Sequence, residues 1–302
     1  MSGDASPRPE SRGLAWGLAG VALFSLTLPA TRAAVAHLDP FFVALGRALL
    51  AGLCAATALA IARPRVPRPQ EWRLLAGSAA GVVFGFPLFT TWAMRHAPAS
   101  HGAVVLAVLP LATAAAGAVV AGERPGRAFW LAGLAGSTVV AGFALREGGG
   151  EVTAADWALL AAVASAAFGY AMGARASATL GGWQAISWSL VLCLPLLVVA
   201  VPFRLPESPS TVPAGAWAGF LYVSLVSQYL GFFAWYRGLA LGGIARVGQL
   251  QLLQPFLTIA ASALLLGEAL QADVVAFAAV VVALVALGRR MPVRRAPAPS
   301  PG

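Results

Sequence analysis

Residues 109–123 read LPLATAAAGAVVAGE, and residues 254–268 read QPFLTIAASALLLGE. In both, a proline stands second (Pro110, Pro255) and a threonine follows three residues on (Thr113, Thr258). Both then run through small apolar residues to a closing Gly-Glu, Gly122-Glu123 and Gly267-Glu268, 145 residues apart. A chain that writes one line twice is built from a repeat. The flanks tell the two copies apart. GERPGR after the first carries two arginines, whereas GEALQAD after the second carries none and ends on Asp273. Further out, ARPRVPRPQEWR (62–73) is strongly basic, while its counterpart PFRLPESPSTVP (202–213) has a single arginine. Basic flanks stay on the cytoplasmic side of a membrane. The two copies are therefore expected to be inserted in opposite senses, which needs an odd number of crossings per copy.

Composition supplies the membrane. Hydrophobic residues make up 59% of the 302 positions and charged residues 10%, against about 25% charged in soluble domains. Such a chain cannot cover a surface that faces water, so the lipid bilayer is its expected partner. The formal charge of +9 comes from arginine alone, since the chain has no lysine. Nucleic-acid binding would need that charge gathered on one face or stripe. Here it sits between apolar runs and in the tail, so no nucleic-acid partner is expected. Cys54 and Cys193 lie inside apolar runs and read as buried thiols.

A helix needs about 20 apolar residues to cross the hydrocarbon layer at 1.5 Å per residue. Runs that meet this occupy 13–35, 40–62, 72–94, 98–121, 126–146, 153–175, 183–203, 213–238, 243–266 and 269–288. The expected fold is an all-α integral membrane protein of ten transmembrane helices in two inverted five-helix repeats, 13–146 and 153–288, joined by a linker at 147–152. The Pro- and Arg-rich ends, 1–12 and 289–302, are expected to be disordered. With the N-terminus inside, inner segments hold fifteen arginines and outer breaks four. That asymmetry places both termini in the cytoplasm. The first run exceeds a signal-peptide core and nine more follow, so it reads as an uncleaved helix.

Further echoes hold the register. Trp92 and Trp235 precede their prolines by 18 and 20 residues, and LFSLTLPATR (23–32) loosely matches AFGYAMGAR (167–175). Inverted repeats of broken helices are the build of many secondary transporters, with the substrate between the halves near the midplane. Two such repeats, each with a proline and then Gly-Glu closing its fourth helix, resemble the EamA branch of the drug/metabolite transporter superfamily. The resemblance covers roughly 13–288. It maps the family's positions onto Pro110, Gly122 and Glu123 and onto Pro255, Gly267 and Glu268. It implies an inner-membrane carrier of small metabolites, often an exporter. The motif marks the fold and not the cargo, and the oligomeric state is not legible.

Polar side chains at membrane depth are expensive and are functional candidates by default. Gln249, Gln251 and Gln254 in the ninth run form the clearest group, with Ser224, Ser227 and Gln228 in the eighth. Gln228, Gln251 and Gln254 are assigned to substrate binding, the alternative being hydrogen bonds between helices. Phe86 and Tyr229, nearest mid-membrane among the aromatics, are further contacts. Pro29, Pro87, Pro110 and Pro255 each remove a helix donor and are assigned to hinging or cavity lining. Arg47 lies about 10 Å below the start of its helix. Pairing with Asp39, eight residues earlier, is its first expectation and anion recognition its second. His101 opens the fourth run as a vestibule residue with a possible role in proton sensing or substrate binding. Gly77, Gly81 and Gly85 form a stripe of small residues suited to close packing.

Absences narrow the mechanism. No carboxylate lies mid-span, as a proton- or sodium-driven carrier commonly requires. The small multidrug exporters of the same superfamily keep one in their first helix, and this chain has none there. Facilitated diffusion or exchange by alternating access is therefore expected, and the resemblance implies a small metabolite, such as an amino acid or drug-like compound, moved in the direction of export. A proton-coupled antiporter is the alternative, and a channel or scaffold comes after it. Without lysine there is no P-loop and no Schiff base. Three histidines before residue 102 and two distant cysteines make no metal site. An enzyme is not expected, nor any cofactor.

Overall fold

The computed structural model describes residues 9–124, 126–147, 151–289 and 294–295. Its regular structure among the described residues is helical, apart from a two-residue antiparallel pairing of Glu123–Arg124 with Arg294–Arg295. We label the helices α1 (Pro9–Ser25, continued by Thr27–Val35), α2 (Pro40–Ala62), α3 (Pro69–His96) and α4 (Ala99–Leu106 with Leu109–Ala121). They continue as α5 (Arg127–Glu147), α6 (Ala154–Leu180), α7 (Gly182–Ala200), α8 (Ala214–Gly242), α9 (Ile244–Leu266) and α10 (Ala272–Arg289). Among the described residues, seven helices are long and apolar enough to cross a membrane, or eight if the bent pair of α4 is one span. The other two, α5 and α10, pack against each other.

One expectation about the ends needs correction. Helix α1 starts at Pro9, so residues 9–12 are helical rather than disordered. A proline at a helix start lacks only an N–H that would have no helical partner there, and its fixed φ suits the first turn. Residues 1–8, and most of the tail beyond Arg289, lie outside the described residues. At the linker, α5 runs to Glu147, and residues 148–150 likewise lie outside them.

Helix boundaries follow local chemistry. Asp39 precedes Pro40, and its Oδ1 accepts from Phe42 N–H at 2.9 Å, capping α2. Thr153 and Asp156 form a reciprocal capping box on α6. At the other ends of α4 and α9, Gly122 (φ 68°) and Gly267 (φ 66°) stop the helix in the left-handed conformation that glycine adopts at least cost. Elsewhere glycine serves close approach. A Cβ on Gly13 would sit 2.6 Å from the Gly242 nitrogen, and one on Gly81 would sit 2.6 Å from the Gly169 Cα. The first contact lets α1 lie directly on α8. The second lets α3 lie on α6, so the small-residue stripe of α3 packs as its spacing predicts.

The repeated line acquires a structural meaning at α4 and α9. Glu123, just past the end of α4, accepts from Ile244 N–H and Ala245 N–H, each at 2.9 Å, at the start of α9. Glu268, just past the end of α9, accepts from Ala99 N–H at 2.9 Å and Ser100 N–H at 3.0 Å, at the start of α4. The donor pairs are themselves 145 residues apart. Helices α4 and α9 therefore run antiparallel, and each carries at its N-terminus the carboxylate that closes the other. A carboxylate is favourable there, because the first N–H groups of a helix lack helical acceptors and the dipole is positive.

Candidate functional site: a polar cleft where the halves meet

Of the helices that line the two clefts described below, α1, α3, α4, α8 and α9 are irregular there, whereas α2 and α6 are regular. Helix α1 breaks at Leu26, between Ser25 and Thr27, ahead of Pro29. Helix α4 turns at residues 107–108 ahead of Pro110 and bends by 40°. Helix α9 tightens to a 3-10 turn over Gln249–Leu253 ahead of Pro255. Helices α3 and α8 widen to π turns over Ala79–Gly85 and Tyr222–Leu230, in matching parts of the two repeats, and in α3 Pro87 follows directly. Proline supplies a cause for each proline-associated break, because its missing N–H interrupts the ladder one turn back. Pro195, by contrast, sits within the helical run of α7.

Polar side chains from the broken helices and from the regular α2 and α6 meet in one narrow cleft. It is lined by Phe24 and Thr27 of α1, Arg47 of α2, Val82 and Phe86 of α3, and Tyr170 of α6. Ser227, Gln228 and Phe232 of α8 and Gln254 of α9 complete it. Ser227 Oγ lies 2.8 Å from Thr27 Oγ1 and accepts from Arg47 Nη2 at 3.0 Å. Gln228 Nε2 donates to Val82 O at 2.9 Å, which ties the two π turns together. A second cleft, lined by Leu28, Ala103, Leu106, Leu109, Gln251, Gln254, Pro255 and Thr258, shares Gln254 with the first. There Thr113 Oγ1 donates to Gln251 Oε1 at 3.3 Å, while Gln251 Nε2 is buried with no protein partner. Both amide atoms of the Gln249 side chain are buried in the same condition. Each cleft has room for little more than one water, so this is a closed arrangement.

Of the residues expected to bind substrate, Arg47, Phe86, Gln228 and Gln254 meet in the first cleft, and Gln251 joins Gln254 in the second. Two are placed elsewhere. The Tyr229 hydroxyl bonds Ser187 of α7 at 2.9 Å and turns away from the cleft. Depth near mid-membrane does not fix the face a side chain takes, and a π turn, which carries more residues than an α turn, rotates that face. His101 Nε2 lies 2.7 Å from Asp156 Oδ1 at the end of the bundle where Glu268 sits. That end holds the wider recesses, one lined by His101, Phe143 and Glu268 and another by Arg32, Arg95 and Glu268.

Arg47 departs most from expectation. Asp39 does not pair with it, because that carboxylate is held by the first turn of its own helix. The guanidinium is only 1% exposed, and its Nε and Nη1 have no protein partner. Thr27 and Tyr170 are not among the candidates that the sequence offers, although the stretches holding them, 23–32 and 167–175, loosely match as repeats. Their offset of 143 places them in equivalent positions of α1 and α6.

The molecule resembles known proteins over most of its length. The profile of the EamA-like transporter family matches residues 11–145 and again residues 153–288. An uncharacterized transporter, YdeK, of Bacillus subtilis (strain 168) is 46% identical over 274 residues, covering 91% of this chain and 96% of its own. A probable terminal-alkyne amino-acid exporter of Streptantibioticus cattleyicolor is 27% identical over 223 residues, covering 71% of this chain and 72% of its own. A solved crystal structure superposes with a TM-score of 0.64 at 21% identity, over 91% of this chain and 97% of that one, a likeness of fold.

Proposed function

Since the chain belongs to the EamA-like transporter family, and is accordingly a multi-pass membrane protein with a transport role rather than a catalytic one, we propose that it exports a small metabolite by alternating access. Its ten helices cross the inner (plasma) membrane as two inverted five-helix repeats, 13–146 and 153–288, with both termini cytoplasmic. The two repeats rock about the central cleft. The observation that carries this reading is the reciprocal closure of α4 and α9 by Glu268 and Glu123 at opposite ends of one antiparallel pair. Releasing one end while keeping the other would open the cleft to one side at a time. The broken helices at Pro29, Pro87, Pro110 and Pro255 supply the joints, and Gln228, Gln251 and Gln254 the polar contacts to the substrate. The exporter named among its relatives supports an amino acid or similar compound as cargo.

Its test is counterflow in proteoliposomes with labelled compounds from several metabolite classes. Saturable uptake driven by unlabelled internal substrate is the expected result. Flux that rises linearly with concentration and shows no counterflow would mark a channel and refute the carrier.

No carboxylate lines either cleft, which favours exchange or facilitated export over carboxylate-driven pumping. One observation favours a second reading, proton-coupled antiport: His101 and Asp156 form a buried titratable pair beside the recess at Glu268. An imposed pH gradient separates the two. Under exchange, uptake stays unchanged when the gradient is collapsed; under antiport it accumulates substrate, and His101→Asn abolishes that accumulation.

A further inference from the structure

Arg47 poses a problem of charge. Burying a cation without an opposite charge costs far more than a neutral polar group would, and removing one partner of a buried pair typically leaves several kcal/mol uncompensated. Arg47 is 1% exposed, and its single protein hydrogen bond goes to the neutral oxygen of Ser227. The acidic side chains that pair elsewhere are accounted for: Glu71 with Arg65, Asp156 with His101 and Asp273 with Arg146. Asp39, Glu123 and Glu268 are each held by backbone N–H groups. Nε and Nη1 of Arg47 are left with N–H groups that no protein atom accepts, on a side chain that lines the central cleft.

Resting on the carrier reading above, we propose that Arg47 is a substrate-binding residue and that the cargo is a small organic acid or amino acid carrying one carboxylate, which docks on the Arg47 guanidinium. A planar guanidinium matches a carboxylate in charge, plane and donor spacing, and can grip both oxygens at once. The single cation of the cleft sets the count of one. A second carboxylate would enter with no positive partner, and a simple amine would meet Arg47 as a like charge. The rest of the lining describes the rest of the ligand. Phe24, Phe86 and Phe232 offer apolar and aromatic surface to a short side chain. Thr27, Tyr170, Ser227 and Gln254 offer neutral hydrogen bonds, and the ring faces suit the ammonium of a zwitterion. The equivalent place in the second repeat is held by Leu190 or Leu192, so the charge belongs to one half alone.

The experiment uses matched pairs: L-propargylglycine, 4-pentynoate and phenylacetate, each beside its own primary amide. Melting of the purified full-length protein in detergent is followed against each compound at constant ionic strength. An acid that raises the midpoint by a few degrees while its amide does not, with the effect lost in Arg47→Gln, is the expected result. No stabilisation by any of the acids, or equal stabilisation by acid and amide, would overturn the proposal. In proteoliposomes the stabilising acid is expected to drive counterflow that falls at least tenfold in Arg47→Gln and recovers in part in Arg47→Lys, which keeps the charge without the fork. Wild-type counterflow in Arg47→Gln also overturns it. Ser227→Ala, which spares the charge, is expected to weaken transport by less than Arg47→Gln does. Stabilisation by acids without counterflow of any compound would leave the carboxylate site standing and sink the carrier reading instead.

Discussion

Helices α4 and α9 are the same sentence with different adjectives. Both break just before a proline, run 13 residues to a left-handed glycine, and hand a glutamate to the start of the other. Yet α4 brings Leu106 and Leu109 to their shared cleft, where α9, 145 residues on, brings Gln251 and Gln254. The frame obeys the repeat and the lining departs from it. A two-fold frame gives two equivalent ends, as alternate opening requires. A cleft lined identically from both sides would be either wholly apolar or burdened with four amides. Under the carrier reading, dividing the roles would give the ligand one polar wall and one apolar wall. Arg47 carries the same division further, since its counterpart in the second repeat is a leucine.

The comparison breaks most directly if α9 is given the side chains of α4. Gln251→Leu with Gln254→Leu is expected to lower transport about a hundredfold, or about 3 kcal/mol. Insertion should persist and the melting point should hold or rise, because the Gln251 amide nitrogen is buried without a partner and an apolar replacement removes that cost. Initial counterflow rates on matched amounts of inserted protein check this, and a wild-type rate in the double variant would move the site elsewhere.

The two glutamates sharpen it next. Glu123 is 8% exposed, whereas Glu268 is half-buried beside the open recesses. Loss of charge-assisted hydrogen bonds costs more where water cannot replace them. Glu123→Gln is therefore expected to destabilise by about 2 kcal/mol and Glu268→Gln by about 1 kcal/mol, read from unfolding in detergent. Equal costs would mean that burial does not separate the two ends.

The glycine caps are the matched control. Gly122→Ala and Gly267→Ala both force a side chain into a positive φ, 68° and 66°, and each is expected to cost about 1 kcal/mol. A clear difference between them would show that the frame is less symmetric than its dihedral angles. Smallest are the threonines. Thr258 Oγ1 donates to Ser25 O at 2.8 Å and Thr113 Oγ1 to Gln251 Oε1 at 3.3 Å. Thr258→Val is expected to cost about 0.6 kcal/mol and Thr113→Val about half that, measured in the same unfolding series.

The sequence made the repeat legible because proline, glycine and glutamate do their work locally, so their spacing survives in one dimension. Helix positions followed from apolar length for the same reason. The partners of Glu123 and Glu268 were not legible, since each lies more than 120 residues away and is a backbone N–H, which no residue type announces. The pairing of Asp39 with Arg47 rests on the rule that residues eight apart lie near one helix face. Asp39 stands directly before Pro40, the position of a helix cap, and capping takes the carboxylate first. The π turn of α8 rotates its face, so Ser227 and Gln228, adjacent in sequence, both reach the cleft while Tyr229 turns to α7.

The opposed orientation of the two repeats is the claim on which the alternating frame depends, and labelling from one side of the membrane tests it most directly. Cys54 and Cys193 are replaced by alanine, and single cysteines are placed at Arg127, after the first Gly-Glu, and at Gln271, after the second. Whole cells or spheroplasts are then treated with a membrane-impermeant maleimide. The cysteine at 271 is expected to react from outside and the one at 127 only after permeabilisation. Reaction of both from the same side would contradict the account.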